Sequence, residues 1–346
     1  IGHDPRLTHV MSLCYHMTTY RAVNGGRLVN DYTSQSRRTF YFLGVTTGES
    51  SIMKVFPRWA EHLSLDASIE GMDFPQHDEP AHYREAVEFI KHDSLSLGGL
   101  VTTHKLDLFN ACADLFEGIG PYTELLGEAS SISKRGNELW AHAKDPITSG
   151  LSLEIILKPD YWGETDAELC ILGAGGSSLA LTLYLINKRN DGGDAPRRIH
   201  VTNRSSTRLE EMRYIHHKLD HGIEFSYHLC PDPTDNDTVV GNLASGSMVV
   251  NATGLGKDAP GSPLTDMAVF PENGHVWEFN YRGDLLFVDQ AQSQKKSRNL
   301  HITDGWDYFI YGWTRVMAEV FHRELPVTGP AFEALSQIAA AARLRT

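Results

Sequence analysis

Short apolar runs alternate along the chain with longer segments whose apolar positions recur at helical spacing. The first run, Phe40-Tyr41-Phe42-Leu43-Gly44-Val45, predicts a strand, and the polar stretch 46–51 is placed to cap a helix beginning near Ile52. Val55, Phe56, Trp59 and Leu63 share one face of that helix. A second strand is expected over 67–72, then a helix over about 80–92 with Val87, Phe89 and Ile90 turned inward. The run from Leu97 to Val101 reads as a short strand leading into the polar residues Thr102, Thr103, His104 and Lys105. Residues 129–133 and 138–142 predict a hairpin around Arg135-Gly136-Asn137 that delivers Lys144-Asp145-Pro146 to its far end. Asp145 opens the next helix, as an N-cap or as a first-turn acid.

In the second half, Glu168-Leu169-Cys170-Ile171-Leu172 predicts a strand that turns at Gly173-Ala174-Gly175-Gly176 into a helix over 177–188. The run Ile199-His200-Val201 then ends in Asn203-Arg204-Ser205-Ser206-Thr207-Arg208. Further helices are expected over 209–219, 308–321 and 329–344, and further strands over 248–254 and 275–281. Strands alternating with helices throughout indicate an α/β protein with mainly parallel sheet.

The stretch from Glu168 to Arg208 carries the clearest chemistry. Strand, glycine turn, helix and strand make half of a dinucleotide-binding unit, in which Gly173 and Gly175 permit a tight turn. The amides opening the following helix, from Gly176 and Ser177, can then face a pyrophosphate. Ser178 stands where the pattern has its third glycine or alanine, so the turn by itself is also compatible with a plain strand-to-helix connection. The end of the second strand holds Asn203, Arg204 and Ser205, with Arg208 one helical turn on, where NAD-preferring folds place an acid. Guanidiniums beside an amide suit a 2′-phosphate, which points to NADP.

Composition narrows the rest. The chain has 346 residues, 41% hydrophobic, enough for two cores, and its formal charge of −13 argues against a broad nucleic-acid-binding face. No apolar run approaches the roughly 20 residues of a membrane span, and no basic-then-apolar leader is visible, so a cytoplasmic protein is expected. Cys14, Cys112, Cys170 and Cys230 are widely separated, without a Cys-x-x-Cys pair, and read as reduced thiols. His217 and His221 have helical i,i+4 spacing, but no further ligands converge on them, and a solvated helix face is expected instead of a metal site. Tyr184 and Lys188 mimic a Tyr-x-x-x-Lys catalytic pair. They lie on the helix directly after the glycine turn, far from where short-chain dehydrogenases place that pair, and read as an outward face. Residues 1–37 read as an extension packing on the body or on a neighbouring subunit, with Asn24-Gly25-Gly26 as a turn.

Several segments together resemble the shikimate/quinate dehydrogenase family. Leu172 to Gly176 is similar to its nucleotide turn, Asn203 to Arg208 to its NADP clamp, and Val250-Asn251-Ala252-Thr253-Gly254-Leu255-Gly256 to its Asn-Ala-Thr-x-x-Gly strand end. Val101 to Lys105 resembles its lysine loop, one residue short and without the proline, and Lys144-Asp145-Pro146 falls at its Asn-Thr-Asp-Gly. The resemblance implies a substrate domain from 38–148 plus 305–346 and a Rossmann-type NADP domain over 149–304. It implies Lys105 and Asp145 as the catalytic pair at a carbinol carbon, with Thr253 and Gly305 joining the cofactor site.

At the substrate, the resemblance assigns Thr102, Ser130 and Tyr281. Alignment through Trp59 turns the family's carboxylate-binding Ser-x-Ser into Glu49 and Ser51, and its glutamine after Gly305 into Gly312. A glutamate there would repel a carboxylate, so the expected substrate is a shikimate-like or cyclitol-like alicyclic molecule lacking that group, whose ammonium or hydroxyls would meet Glu49, bound by a monomer or homodimer. Other readings are a non-catalytic NADP- or metabolite-binding regulator, and an enzyme of the same plan such as a glutamyl-tRNA reductase or methylene-tetrahydrofolate dehydrogenase. The reductase would need a nucleophilic cysteine in its first domain.

Overall fold

The computed structural model describes residues 32–256 and 259–343. Most of the expected extension 1–37, including Cys14 and the turn at 24–26, lies outside them. The described residues from Ser34 onward belong to one compact unit, built on two six-stranded sheets.

The first sheet contains β1 (Thr39–Gly44), β2 (Ser68–Asp73), β3 (Ser96–Val101), β4 (Gly118–Ile119), β5 (Ser131–Arg135) and β6 (Glu138–His142), in the order β2-β1-β3-β5-β6-β4. β1 pairs in parallel with both β2 and β3, whereas the expected hairpin enters antiparallel through β5. The helices are α1 (Ile52–His62), α2 (Pro80–His92), α3 (Lys105–Cys112), α4 (Pro121–Leu126) and α5 (Asp145–Ile156), followed by the short α6 (Tyr161–Glu164). Every residue of β1 and β3 is buried, so these strands read as continuous apolar runs and not as alternating ones.

The second sheet contains β7 (Leu169–Leu172), β8 (Arg198–Asn203), β9 (Glu224–Leu229), β10 (Met248–Asn251), β11 (His275–Glu278) and β12 (His301–Thr303). All its pairings are parallel, in the order β12-β11-β10-β7-β8-β9. This is the doubly wound arrangement, with the strand order reversing between β7 and β10, and ligands bind at the carboxyl ends of such a pair. Its helices are α7 (Gly176–Asn190), α8 (Ser206–His217), α9 (Pro233–Gly241) and α10 (Leu286–Arg298). The chain closes with α11 (Trp306–Val320) and α12 (Gly329–Ala342).

The cores explain why the last two helices return to the first sheet. Phe40, Phe42, Phe56 and Trp59 share one apolar cluster with Phe309, Trp313, Met317 and Leu335, and Trp59 Nε1 donates to the Leu335 carbonyl at 2.9 Å. Burial of such aromatic side chains contributes on the order of 2–3 kcal/mol each. Separate clusters cover the two faces of the second sheet.

Four local expectations need correction. Ser51 precedes α1 but makes no capping hydrogen bond, and residues 47–49 form a 3-10 turn in which the Thr47 amide donates to Asp73 Oδ1 at 2.8 Å. Lys105 does not end in a loop; it is the first residue of α3. Tyr184 and Lys188 are not a free outward face, because both donate to Glu154 Oε1 and the Tyr184 ring fills the space left by Gly150. α8 stops at His217, so His221 lies beyond it and the assumed helical spacing does not exist.

Candidate active site

The loop between β3 and α3 aims Lys105. The His104 amide donates to the Thr102 carbonyl at 2.5 Å, closing a three-residue γ-turn with Thr103 at its centre, at φ 61°. A β-branched residue is strained in that region by roughly 1–3 kcal/mol. Burial of His104 holds the turn: its Nδ1 lies 3.0 Å from Tyr83 Oη, and desolvation keeps its pKa below the usual histidine value. The shortened, proline-free loop thus reaches the lysine by a tight turn.

Lys105 and Asp145 are both first residues of helices, α3 and α5, and their side chains are hydrogen-bonded. Asp145 is therefore a first-turn acid. Desolvation pulls the Lys105 pKa down, but the charges of Asp145 and Glu128 and the Asp145 hydrogen bond outweigh it and leave it above the ordinary value. The lysine is an ammonium at neutral pH.

A cavity of about 380 Å³ surrounds the pair. Of the residues anticipated from sequence, Thr102, Lys105, Ser130, Asp145, Ser177, Thr253, Tyr281 and Gly305 line it. Ser130 Oγ accepts from the Lys144 amide at 2.8 Å and so fixes the residue before Asp145. Tyr308, Phe309 and Trp313 from α11 and Phe279 from the end of β11 form an aromatic wall, with Gly312 leaving room beside it. Gly305 packs so closely that a Cβ there would lie 2.1 Å from the Phe279 carbonyl oxygen. The position requires glycine for packing.

Glu49 and Ser51 are not brought to this cavity. Glu49 is exposed and Ser51 is buried away from the lining, whereas Ser50, the residue between them, lines an adjoining recess of about 240 Å³ with Thr102, Tyr281 and Arg282. Ser50 also hydrogen-bonds Tyr281. The 3-10 turn over 47–49 thus leads into Ser50, and it is Ser50, not Glu49 or Ser51, that lines the recess.

The second cleft, of about 670 Å³, lies over the switch between β7 and β10 and meets the cavity at Ala252, Thr253 and Gly254. Gly173, Gly175, Asn203, Arg204, Ser205 and Arg208 all line it. Gly173 has φ 105°, and a Cβ there would lie 3.0 Å from the Ala252 carbonyl oxygen. Ser178 Oγ donates to the Gly173 carbonyl at 2.6 Å, so the departure from the glycine pattern braces the turn. Asn203 ties strand end to turn, accepting from the Ala174 amide at 3.4 Å and donating to the Ser205 carbonyl at 3.1 Å. Gly176 begins α7, and its exposed backbone leaves the first amides of that helix facing open space. Arg204 is exposed and makes no ion pair among the described residues, whereas Arg208 is held by Glu211 at 2.9 Å. An open glycine turn, free helix amides and a guanidinium at the strand end fit a phosphorylated dinucleotide.

Thr253 belongs to a buried bracket joining both spaces. Its Oγ1 donates to Asn251 Oδ1 at 2.7 Å, Asn251 Nδ2 donates to Glu278 Oε2 at 2.6 Å, and Glu278 Oε1 accepts from the Asn280 amide at 2.7 Å. Burial pushes Glu278 up to about 7 despite these bonds. Sequence reasoning passed over Ser50, Glu128, Thr148, Asn280 and Tyr308. Only their juxtaposition across distant segments marks them, and no local pattern could. Cys112 is buried and its thiol is pushed up to about 12 by desolvation, which does not fit a thiolate nucleophile.

A doubly wound sheet facing a second α/β sheet, with an ion-paired lysine in the cavity between them, defines the two-domain α/β plan with a Rossmann-type half. No protein-family model matches the chain. Its fold is that of the shikimate dehydrogenases: the shikimate 5-dehydrogenase of Thermus thermophilus, solved with NADP(H) and shikimate, superposes with a TM-score of 0.62 at 19% identity, over 88% of this chain and 99% of that one. The ligand-free 5-ketofructose reductase of Gluconobacter sp. strain CHM43 gives a TM-score of 0.64 at 16% identity, over 88% and 98%. In sequence, a curated shikimate dehydrogenase (NADP(+)) of Streptococcus thermophilus is 25% identical over 181 residues, 52% of this chain and 58% of that relative's length. The match thus spans less than two thirds of the relative. The chain shares its fold with the shikimate dehydrogenases and, over that stretch, is similar in sequence to one of them. Among the described residues, no helix is long and apolar enough to cross a membrane.

Proposed function

We propose that the chain is an NADP-dependent oxidoreductase interconverting a ring hydroxyl and a ketone on a shikimate-like or cyclitol-like alicyclic substrate. The observation that carries this reading is the Lys105–Asp145 contact inside a cavity that opens, past Thr253, onto the dinucleotide-type cleft. In the same reading, 38–148 with 305–346 form the substrate domain and 149–304 the NADP domain.

Gly173, Gly175 and the first amides of α7, at Gly176 and Ser177, would hold the pyrophosphate, with Asn203, Arg204, Ser205 and Arg208 at the 2′-phosphate and Thr253 and Gly305 beside the nicotinamide. That cofactor supplies the hydride chemistry when bound. The chain's own contribution is acid–base. In reduction, the Lys105 ammonium donates a proton to the carbonyl oxygen as it becomes a hydroxyl; in oxidation, the neutral amine takes it back. Asp145 orients the ammonium and keeps it charged between turnovers. Ser130 and Thr102 offer hydroxyl groups to ring oxygens, and the aromatic wall excludes water from the reacting centre.

With Glu49 outside the cavity, its lining gives no reason to expect an ammonium on the substrate. Ser50, Tyr281 and Arg282 instead present two hydroxyls and a cation in the adjoining recess, which suit a hydroxyl or a carboxylate. The test is a panel of alicyclic ketones and polyols, with and without carboxylates, scored by change in reduced-nicotinamide absorbance with NADP(H) and NAD(H). Turnover of at least one member with NADP(H) is expected. Silence across the panel, with nucleotide bound, would favour the non-catalytic regulator.

A further inference from the structure

Glu128 has no part in the reaction just described, yet it sits against the reacting pair. It precedes Ala129, whose amide donates to the Lys105 carbonyl at 3.2 Å, so the backbone places it beside the first turn of α3. The residue is 5% exposed, and its Oε1 has no hydrogen-bond partner among the described residues. Its other oxygen points at the glycine turn: a Cβ built on Gly176 would lie 3.4 Å from Oε2. The carboxyl is thus wedged between the Lys105–Asp145 pair and the first residue of α7.

A buried carboxylate oxygen without a donor is costly, and protonation turns it into a hydroxyl that can itself donate. Desolvation pushes Glu128 up to about 7, the Lys105 charge opposing and the Asp145 charge reinforcing the shift. The charged and titratable groups around it come from three helices: Lys105 from α3, Asp145 from α5, and Tyr308 from α11, whose own ionisation burial suppresses. From α7 it meets uncharged backbone at Gly176. One ammonium faces two carboxyls, so any further negative charge brought to this end of α7 falls first on the carboxyl that is easiest to protonate.

We propose that Glu128 couples dinucleotide binding to proton uptake: the carboxylate takes a proton from solvent when the phosphates settle at the N-terminus of α7, and returns it when they leave. This rests on the reading of the cleft as a dinucleotide site. No bond to the nucleotide is made or broken; one proton moves between solvent and a Glu128 oxygen. An anion nearby favours the neutral carboxyl and raises its pKa, so affinity declines with rising pH from about 7 up to the pKa of the bound state, by up to about tenfold per pH unit.

The experiment is calorimetric titration of NADP⁺ into the full chain at about pH 7.5, in two buffers of different ionisation enthalpy, with dissociation constants followed from about pH 6 to 9. The unsubstituted chain should take up a substantial fraction of a proton more than Glu128→Gln does, and its affinity should fall more steeply with pH. The nucleotide's own 2′-phosphate titration is common to both and cancels in the difference. Should Glu128→Gln not fold, Glu128→Ala gives the same comparison. Infrared difference spectra of the unsubstituted chain should also show a protonated-carboxyl band appearing with NADP⁺. Binding with equal proton uptake in chain and variant, or without that band, overturns the role of Glu128 alone. No binding at any pH contradicts the cleft's assignment, and this inference with it.

Discussion

Lys105 and Asp145, 40 residues apart in sequence, are hydrogen-bonded across the first turns of two helices that follow different strands of the first sheet, β3 and β6. The lysine arrives through a strained γ-turn at Thr103, the aspartate through the β5–β6 hairpin. Neither side chain needs the other to be reachable from its own strand. Their convergence at one mouth of the sheet sets an ion-paired ammonium inside the cavity that adjoins the second cleft.

Arg204 is expected to set cofactor preference. It is exposed, lines the cleft at the end of β8, and makes no ion pair among the described residues. Arg204→Ala should raise the dissociation constant for NADP⁺ by about 10- to 100-fold, the value of a charge-assisted hydrogen bond, and leave that for NAD⁺ nearly unchanged. Titration by intrinsic fluorescence with both nucleotides checks this. Equal weakening of the two would show that Arg204 does not meet a 2′-phosphate.

Glu319 should anchor the hairpin to α11. Its side chain is 17% exposed, lies 2.8 Å from Lys144 Nζ and 3.1 Å from His142 Nε2, and so holds the residue next to Asp145. The His142 contact, opposed by burial and reinforced by Lys144, keeps its carboxyl well below the usual range. A depressed carboxyl contributes stability that is present above the unfolded value of about 4.3 and lost as pH falls below it. Glu319→Ala should therefore destabilise by about 3 kcal/mol at pH 7, leaving the part-buried Lys144 ammonium without its partner, and by less at about pH 3. Chemical denaturation at both pH values measures the gap, which should narrow on acidification.

Gly312 separates fold from site. It lies inside α11 and lines the cavity, and a Cβ there would come no closer than 3.8 Å to Thr148. Gly312→Ala should stabilise the helix by about 0.5–1 kcal/mol, raising the melting temperature slightly. Gly312→Leu should fold equally well but fill much of the cavity, raising KM for any ring substrate at least about tenfold. Unchanged KM in the leucine variant would place the substrate elsewhere.

Most of the architecture was legible because burial of β1, β3 and β7 on both faces leaves unbroken apolar runs, and because the glycine turn marks a strand-to-helix connection. Among the elements missed, β4 and β12 are very short, β9 is only half-buried, α9 and α10 are largely polar, and α3 begins at a residue that reads as the end of a loop. Gly173, Asn203, Arg204 and Arg208 lie together in the second cleft because they follow the carboxyl ends of the adjacent parallel strands β7 and β8. The substrate end was harder. Its geometry depends on a 3-10 turn that replaces Glu49 by Ser50 at the lining, and on Glu128, Asn280 and Tyr308, which tertiary packing alone gathers.

The proposed activity stands or falls on Lys105 exchanging the proton at the oxygen of the reacting carbon. What decides it is the turnover number of Lys105→Met on whichever panel substrate the unsubstituted chain converts, with the NADP⁺ dissociation constant determined on the same samples. A loss of at least about 100-fold in kcat is expected, with nucleotide binding held within a few-fold. Undiminished turnover in the variant would contradict the assignment.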